Sequence, residues 1–212
     1  MTVSADQLRA REFWAWFSEA QAEITLAVSN SDHDWLRENL TPRVTALTPH
    51  PENPTINWEI GPGKTKRWQF SLSPLVKANL IATRIIIDAA PELPEWEFYP
   101  AKPPRRFENA IYRFSDDTRE ELEFDVRNWE YILTSLGGGR MFTIEVVGDF
   151  PAWIDEAMRR KIGHLTVEGI LGEELLIERV HSIIASTKAE VDPRAPRTQI
   201  RLLEKHIRSL VA

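Results

Sequence analysis

The chain has no cysteine, which removes disulfides, thiolate nucleophiles and zinc sites built on sulfur from the possible chemistry. Long apolar runs are missing too. Stretches such as Ile85 to Ile87 fall far short of the ~20 residues a membrane helix needs, so no membrane span is expected. Asp6 and Arg9 stand where a secretory leader would place its apolar core, and the expected location is the cytoplasm. The formal net charge of −6 argues against a general nucleic-acid binder, whose phosphate contacts require a basic footprint. Basic residues do cluster at Lys64/Lys66/Arg67, Arg105/Arg106 and Arg159/Arg160/Lys161. Each cluster is short and reads as solvated surface.

What is present is a well-patterned core. A hydrophobic fraction of 42% with 27% charged residues is that of a folded globular protein, and eight tryptophans fall mostly on inward faces. In the first helix, expected from about residue 6 to 28, Phe13, Trp16, Phe17, Ala20, Ile24, Ala27 and Val28 share one side, and Trp14 at its margin reads as core, the ordinary place for an aromatic bordering an apolar stripe, rather than as the exposed edge of a partner site. Ser31 or Asp32 caps a second helix carrying Trp35, Leu36, Leu40, Val44 and Leu47, and Pro42 predicts a kink or restart within it. These two form a helical hairpin over residues 1–48.

Beyond the proline-dense loop at 49–54, Ile56, Trp58 and Ile60 alternate with polar residues. So do Trp68, Phe70 and Leu72 beyond the GPGK turn, and the two runs predict a β-hairpin with one apolar face. Gly61 to Lys66 lacks the GxxxxGK[ST] spacing of a phosphate loop and joins strand to strand. Ser73 and Pro74 read as the cap and first position of a helix over 74–90, where the length between prolines favours helix over a strand through Ile81, Ile85 and Ile87. A strand holding Trp96 and Phe98 follows, and Pro100, Pro103 and Pro104 stiffen its exit.

The segment APELPEWEFYPAKPP, from Ala90 to Pro104, together with the later DVRNW and LGEE, resembles a group of uncharacterised bacterial cytoplasmic α+β proteins. The resemblance implies an α+β fold and a cytoplasmic compartment, and it brings no activity, cofactor or catalytic residue. Two further strands are expected between 109 and 126, around a turn at Asp116 and Asp117. Another pair, Tyr131 to Leu136 and Arg140 to Val147, flanks Gly137, Gly138 and Gly139. A helix from Pro151 places Ile154, Met158, Ile162 and Leu165 on one stripe, and a second, starting at Glu173 and Glu174, continues through Leu176, Ile177, Val180 and Ile184. Residues 187–197 read as a linker. The C-terminal helix, 198–212, carries Ile200, Leu203, Ile207 and Leu210, which either pack back or mediate a homodimer. The whole is expected to be a single α+β domain over 1–212, with a mainly antiparallel sheet of about six strands within 55–147 and a helical part at 151–185.

For chemistry, the best metal candidate is His164 with Glu168, spaced i,i+4, with a third ligand drawn from His181, Glu173 or Glu174. The chain has neither HExxH nor GxSxG, and a helix-edge histidine beside a solvated glutamate is the plainer reading. The adjacent acids Asp116/Asp117, Glu120/Glu121 and Glu173/Glu174 suit turns and first helical turns, while Asp125 and Arg127, two apart on a strand, read as an exposed ion pair. No cofactor is implied. The leading expectation is a non-enzymatic intracellular binding or regulatory protein, toxin-neutralising or partner-modulating, with a protein partner. The alternative is a hydrolase-like or metal-assisted enzyme using His164 and Glu168.

Overall fold

The computed structural model describes residues 5–105, 111–115 and 121–211. It is an α+β structure that divides into two compact units, 1–103 and 104–212. Where the sequence suggests one mainly antiparallel sheet of about six strands, the strands instead form two separate mixed sheets of three and four strands, and two further strands pair only with each other. The turn expected at Asp116 and Asp117 lies outside the described residues.

In the first unit, α1 (Ala5–Ser29) buries Phe13, Trp14, Phe17 and Ile24 along its inner side. Trp14 is buried within the core, as an aromatic at the border of an apolar stripe is expected to be. Its ring meets Phe98 edge-on at 4.6 Å, and its indole N–H donates to the Ile86 carbonyl at 2.7 Å. The apolar face of α1 is wide enough to touch both the sheet and a neighbouring helix, and Trp14 fills the corner between them. The Asp32 side chain accepts from the Trp35 amide at 3.0 Å and caps α2 (His33–Asn39). The helix then restarts as α3 (Thr41–Thr45) with Pro42 in its first turn, where the missing N–H costs nothing.

Strands β1 (Asn57–Pro62) and β2 (Trp68–Ser73) pair antiparallel, so that Trp58 faces Leu72, Ile60 faces Phe70 and Pro62 faces Trp68 on one apolar side. Helix α4 (Lys77–Asp88) then carries the chain back, and β3 (Trp96–Tyr99) joins β2 in parallel, as a crossover connection permits. The helix starts later than Ser73 and Pro74 suggest. Ser73 still belongs to the β2 ladder opposite Asn57, Leu75 takes φ +63°, and Val76 is the cap. Buried Asn79 holds this entry, its amide donating to the carbonyls of Pro54 at 2.8 Å and Pro74 at 2.9 Å. Phe13, Phe17, Phe70, Trp96 and Phe98 meet in one cluster of rings, with Phe17 against Phe70 at 5.3 Å and Trp96 at 5.1 Å.

The second unit opens with β4 (Ile111–Ser115) and β5 (Glu121–Asp125), antiparallel to each other. Strands β6 (Glu130–Leu136) and β7 (Met141–Gly148) follow, turning through three glycines with φ of +57°, +69° and +85°. Helix α5 (Glu156–Leu171), capped by Asp155, ends at Gly172 with φ +75°, and α6 (Glu173–Arg179) begins there. A helix through Val180 and Ile184 is not formed. Those residues belong to β8 (Val180–Thr187), parallel to β7, because a β-branched run gains more beside an open strand than on a helix flank. Two-residue β9 (Thr198–Gln199) pairs with β6, and a 3₁₀ turn (Ile200–Leu202) leads into α7 (Leu203–Val211). Ile200, Leu203 and Ile207 are buried in this unit's core, so the C-terminal stripe packs back, while Leu210 stays half exposed.

Candidate functional site

The outward side of α5 gathers most of the residues that the sequence singles out. Ile162, Gly163, Thr166, Val167 and Ile170 point inward, which leaves Ala157, Arg160, Lys161, His164 and, at the margin, Leu165 on the other side. Among the described residues these five line an open depression of about 410 Å³. Its lining is mostly apolar, with the cationic side chains of Arg160 and Lys161 taking part in it. Arg160 pairs with Glu156 across one turn at 2.7 Å, whereas Arg159 turns away to hold Glu190 at 2.8 Å. The amide and hydroxyl of Thr187 also donate to Glu190, and together with Arg159 they hold its carboxyl down at about 2. Two residues before the cap of α5, Trp153 is 67% exposed. Composition alone does not set this tryptophan apart from the core, and the signal that could have found it is its place in the short loop between Pro151 and the capping Asp155.

His164 and Glu168 stand on this helix with Nε2 3.9 Å from Oε2, the histidine half exposed. The remaining candidates do not join them. His181 is exposed on β8, Glu173 is buried at the start of α6, and among the described residues no three His, Cys, Asp or Glu side chains lie close enough to hold a metal. Asp125 and Arg127 form an exposed bidentate pair, which lowers the Asp125 carboxyl to about 2. They do not share a strand, because β5 ends at Asp125 and Arg127 lies in the following turn, its amide donating to Asp125 Oδ1 at 3.0 Å.

The β1–β2 connection, whose glycines and lysines superficially suggest an anion site, already contains an anion. Glu97 Oε1 accepts from the amides of Thr65 at 2.5 Å and Lys66 at 2.6 Å, and Oε2 from the Tyr99 hydroxyl at 2.5 Å. Burial works to raise the Glu97 carboxyl, but these three donors outweigh it and hold it down at about 2. Burial and the adjacent carboxylate push Tyr99 up to about 12. A Cβ at Gly63 would lie 2.4 Å from the Lys66 carbonyl, so the close approach requires glycine. Lys66 Nζ donates to the Leu93 carbonyl at 2.8 Å, and Arg67 lies over the Trp68 ring.

A third polar group joins α7 to the sheet. The Tyr131 hydroxyl lies 2.7 Å from His206 Nδ1, and burial raises the phenol. No described helix is long and apolar enough to cross a membrane. No family model, curated protein or solved structure matches the chain.

Proposed function

We propose that the chain is a non-enzymatic cytoplasmic binding protein that neutralises or modulates a protein partner, and that the outward side of α5 is where the partner sits. The observation that carries this reading is the depression, mostly apolar in its lining yet bordered by the cationic side chains Arg160 and Lys161. Such relief suits a side chain or two of a partner, with its carboxylates meeting these cations. The exposed Trp153 near the start of the same helix adds an aromatic of the type that anchors interfaces. A photo-crosslinking residue placed at Lys161 in living cells tests it, with exposed Lys77 on the other unit as the control. One discrete heavier species from position 161 alone is expected. No adduct beyond that of position 77 would overturn the assignment.

A further inference from the structure

In the order β8-β7-β6-β9, strand β8 has a neighbour on one side, and among the described residues nothing pairs with its other side. Exposed strand edges invite pairing with other chains, and proteins blunt them with charges, prolines or short length. Most of the other edges of these two sheets are blunted in this way: β1 carries Glu59 and Pro62, β3 is four residues long and contains Glu97, and β9 has two residues, so that beyond Tyr131 only the shorter run 132–136 of β6 is left without a neighbour on that side among the described residues. β8 is different: VHSIIAST runs for eight residues without Asp, Glu, Lys, Arg or Pro. On the sheet face away from α5, the Ser182 hydroxyl meets the Thr143 hydroxyl at 2.9 Å and Ser186 donates to Glu145 at 2.6 Å. Ile184 stands between them, 47% exposed, where a solvent-facing polar residue would be ordinary.

We infer that the free edge of β8 takes an extended, uncharged peptide strand from another protein, which lengthens the four-stranded sheet and sets a β-branched or other apolar side chain beside Ile184. Sterics decide between such a segment and a second copy of this chain. Antiparallel pairing of two β8 strands about a two-fold axis normal to the sheet leaves them about 4.8 Å apart. Helix α5 lies over β8 so closely that a Cβ at Gly163 would stand 3.0 Å from the Ala185 Cβ and 3.8 Å from Ile183. The two α5 helices would then approach to about the same 4.8 Å, well inside the about 8–10 Å that packed helices need. A bare strand has no such conflict. Backbone hydrogen bonds supply its affinity, and the alternate side chains its selectivity. This site is distinct from the α5 depression, and each stands or falls without the other.

The probe is a synthetic peptide of sequence VHSIIAST, acetylated and amidated, which in antiparallel register sets Ile against Ile184 and Ser against Ser182 and Ser186. Added to the isotopically labelled full chain, it is expected to shift the backbone amides of residues 181–187 saturably. Methylating alternate peptide nitrogens should weaken binding at least about tenfold, since the ladder is lost. Ile184→Lys in the protein should weaken it about fivefold while leaving the circular dichroism spectrum unchanged. Shifts confined to other residues, no shifts at millimolar peptide, or equal binding of the N-methylated peptide would each overturn the inference. A native mass twice the 24.4 kDa of one chain that Ile184→Lys halves would overturn it in favour of self-pairing.

Discussion

The two units use the same chain path and fill it differently. In each, an antiparallel hairpin is followed by a helical crossover onto a parallel strand: β1-β2-α4-β3 in the first, β6-β7-α5-α6-β8 in the second. The first closes its three-stranded sheet with α1, whose inner side is Phe13, Trp14 and Phe17, and it holds six of the eight tryptophans (Trp14, Trp16, Trp35, Trp58, Trp68 and Trp96). The second closes a four-stranded sheet with longer paired strands, and its core is largely Ile, Val and Leu. A short sheet offers few side chains, so each must cover more area, and aromatic rings bury the most per residue. Longer strands supply enough branched aliphatic residues to interdigitate without them.

That contrast can be broken by mutation. Phe17→Ala should have the largest effect, a loss of about 3–5 kcal/mol in chemical denaturation, because the ring contacts Phe13, Phe70, Trp96 and Phe98 with no exposure of its own. The near-ultraviolet circular dichroism should fall with it, since most tryptophans lie in the first unit. A loss below 1 kcal/mol, roughly that of an ordinary surface change, would mean that the ring cluster is not what holds α1 on the sheet. Gly148→Ala sharpens the comparison from the other side. The new Cβ would stand 2.6 Å from the Trp129 ring, and overpacking of this kind should cost about 1–3 kcal/mol and shift Trp129 emission. An unchanged midpoint would show that the aliphatic unit yields where the aromatic one does not.

The smallest effect is confined to acid. Glu97 titrates at about 2 in the folded chain against an ordinary 4.5, so the stability it contributes is present above about pH 4.5 and is lost as pH falls towards 2. Glu97→Gln removes that titration. The variant's stability should change less steeply across this window than the parent's, and the Thr65 and Lys66 amides should exchange faster at neutral pH. Parallel acid limbs would remove the carboxylate from the account.

What the sequence reveals and conceals follows the range of the interactions. Alternation of Trp58, Ile60, Trp68, Phe70 and Leu72 is a local property, and the β1–β2 hairpin follows from it directly. The end of the helix before Val180 is not local. Leu176, Val180 and Ile184 are spaced for a helix face, and only the presence of β7 as a parallel neighbour draws the last two into a strand. Nor does periodicity tell which strands pair, so the division into two sheets stays hidden until the parallel partners of β2 and β7 are seen. The i,i+4 spacing of His164 and Glu168 is legible, and the structure brings the pair together on α5. The depression beside them depends on surface relief that no spacing encodes.

The carboxylate of Glu97 lies more than thirty positions along the chain from the two amides it holds. The connection between the first two strands therefore depends on the third for the acceptor of two of its amides. A fragment ending at Asp88 would retain both hairpin strands, the crossover helix and the Gly63-to-Arg67 backbone bond of the corner, yet the Thr65 and Lys66 amides would be left to water, so the corner's shape is a property of the three-stranded sheet and not of the hairpin alone.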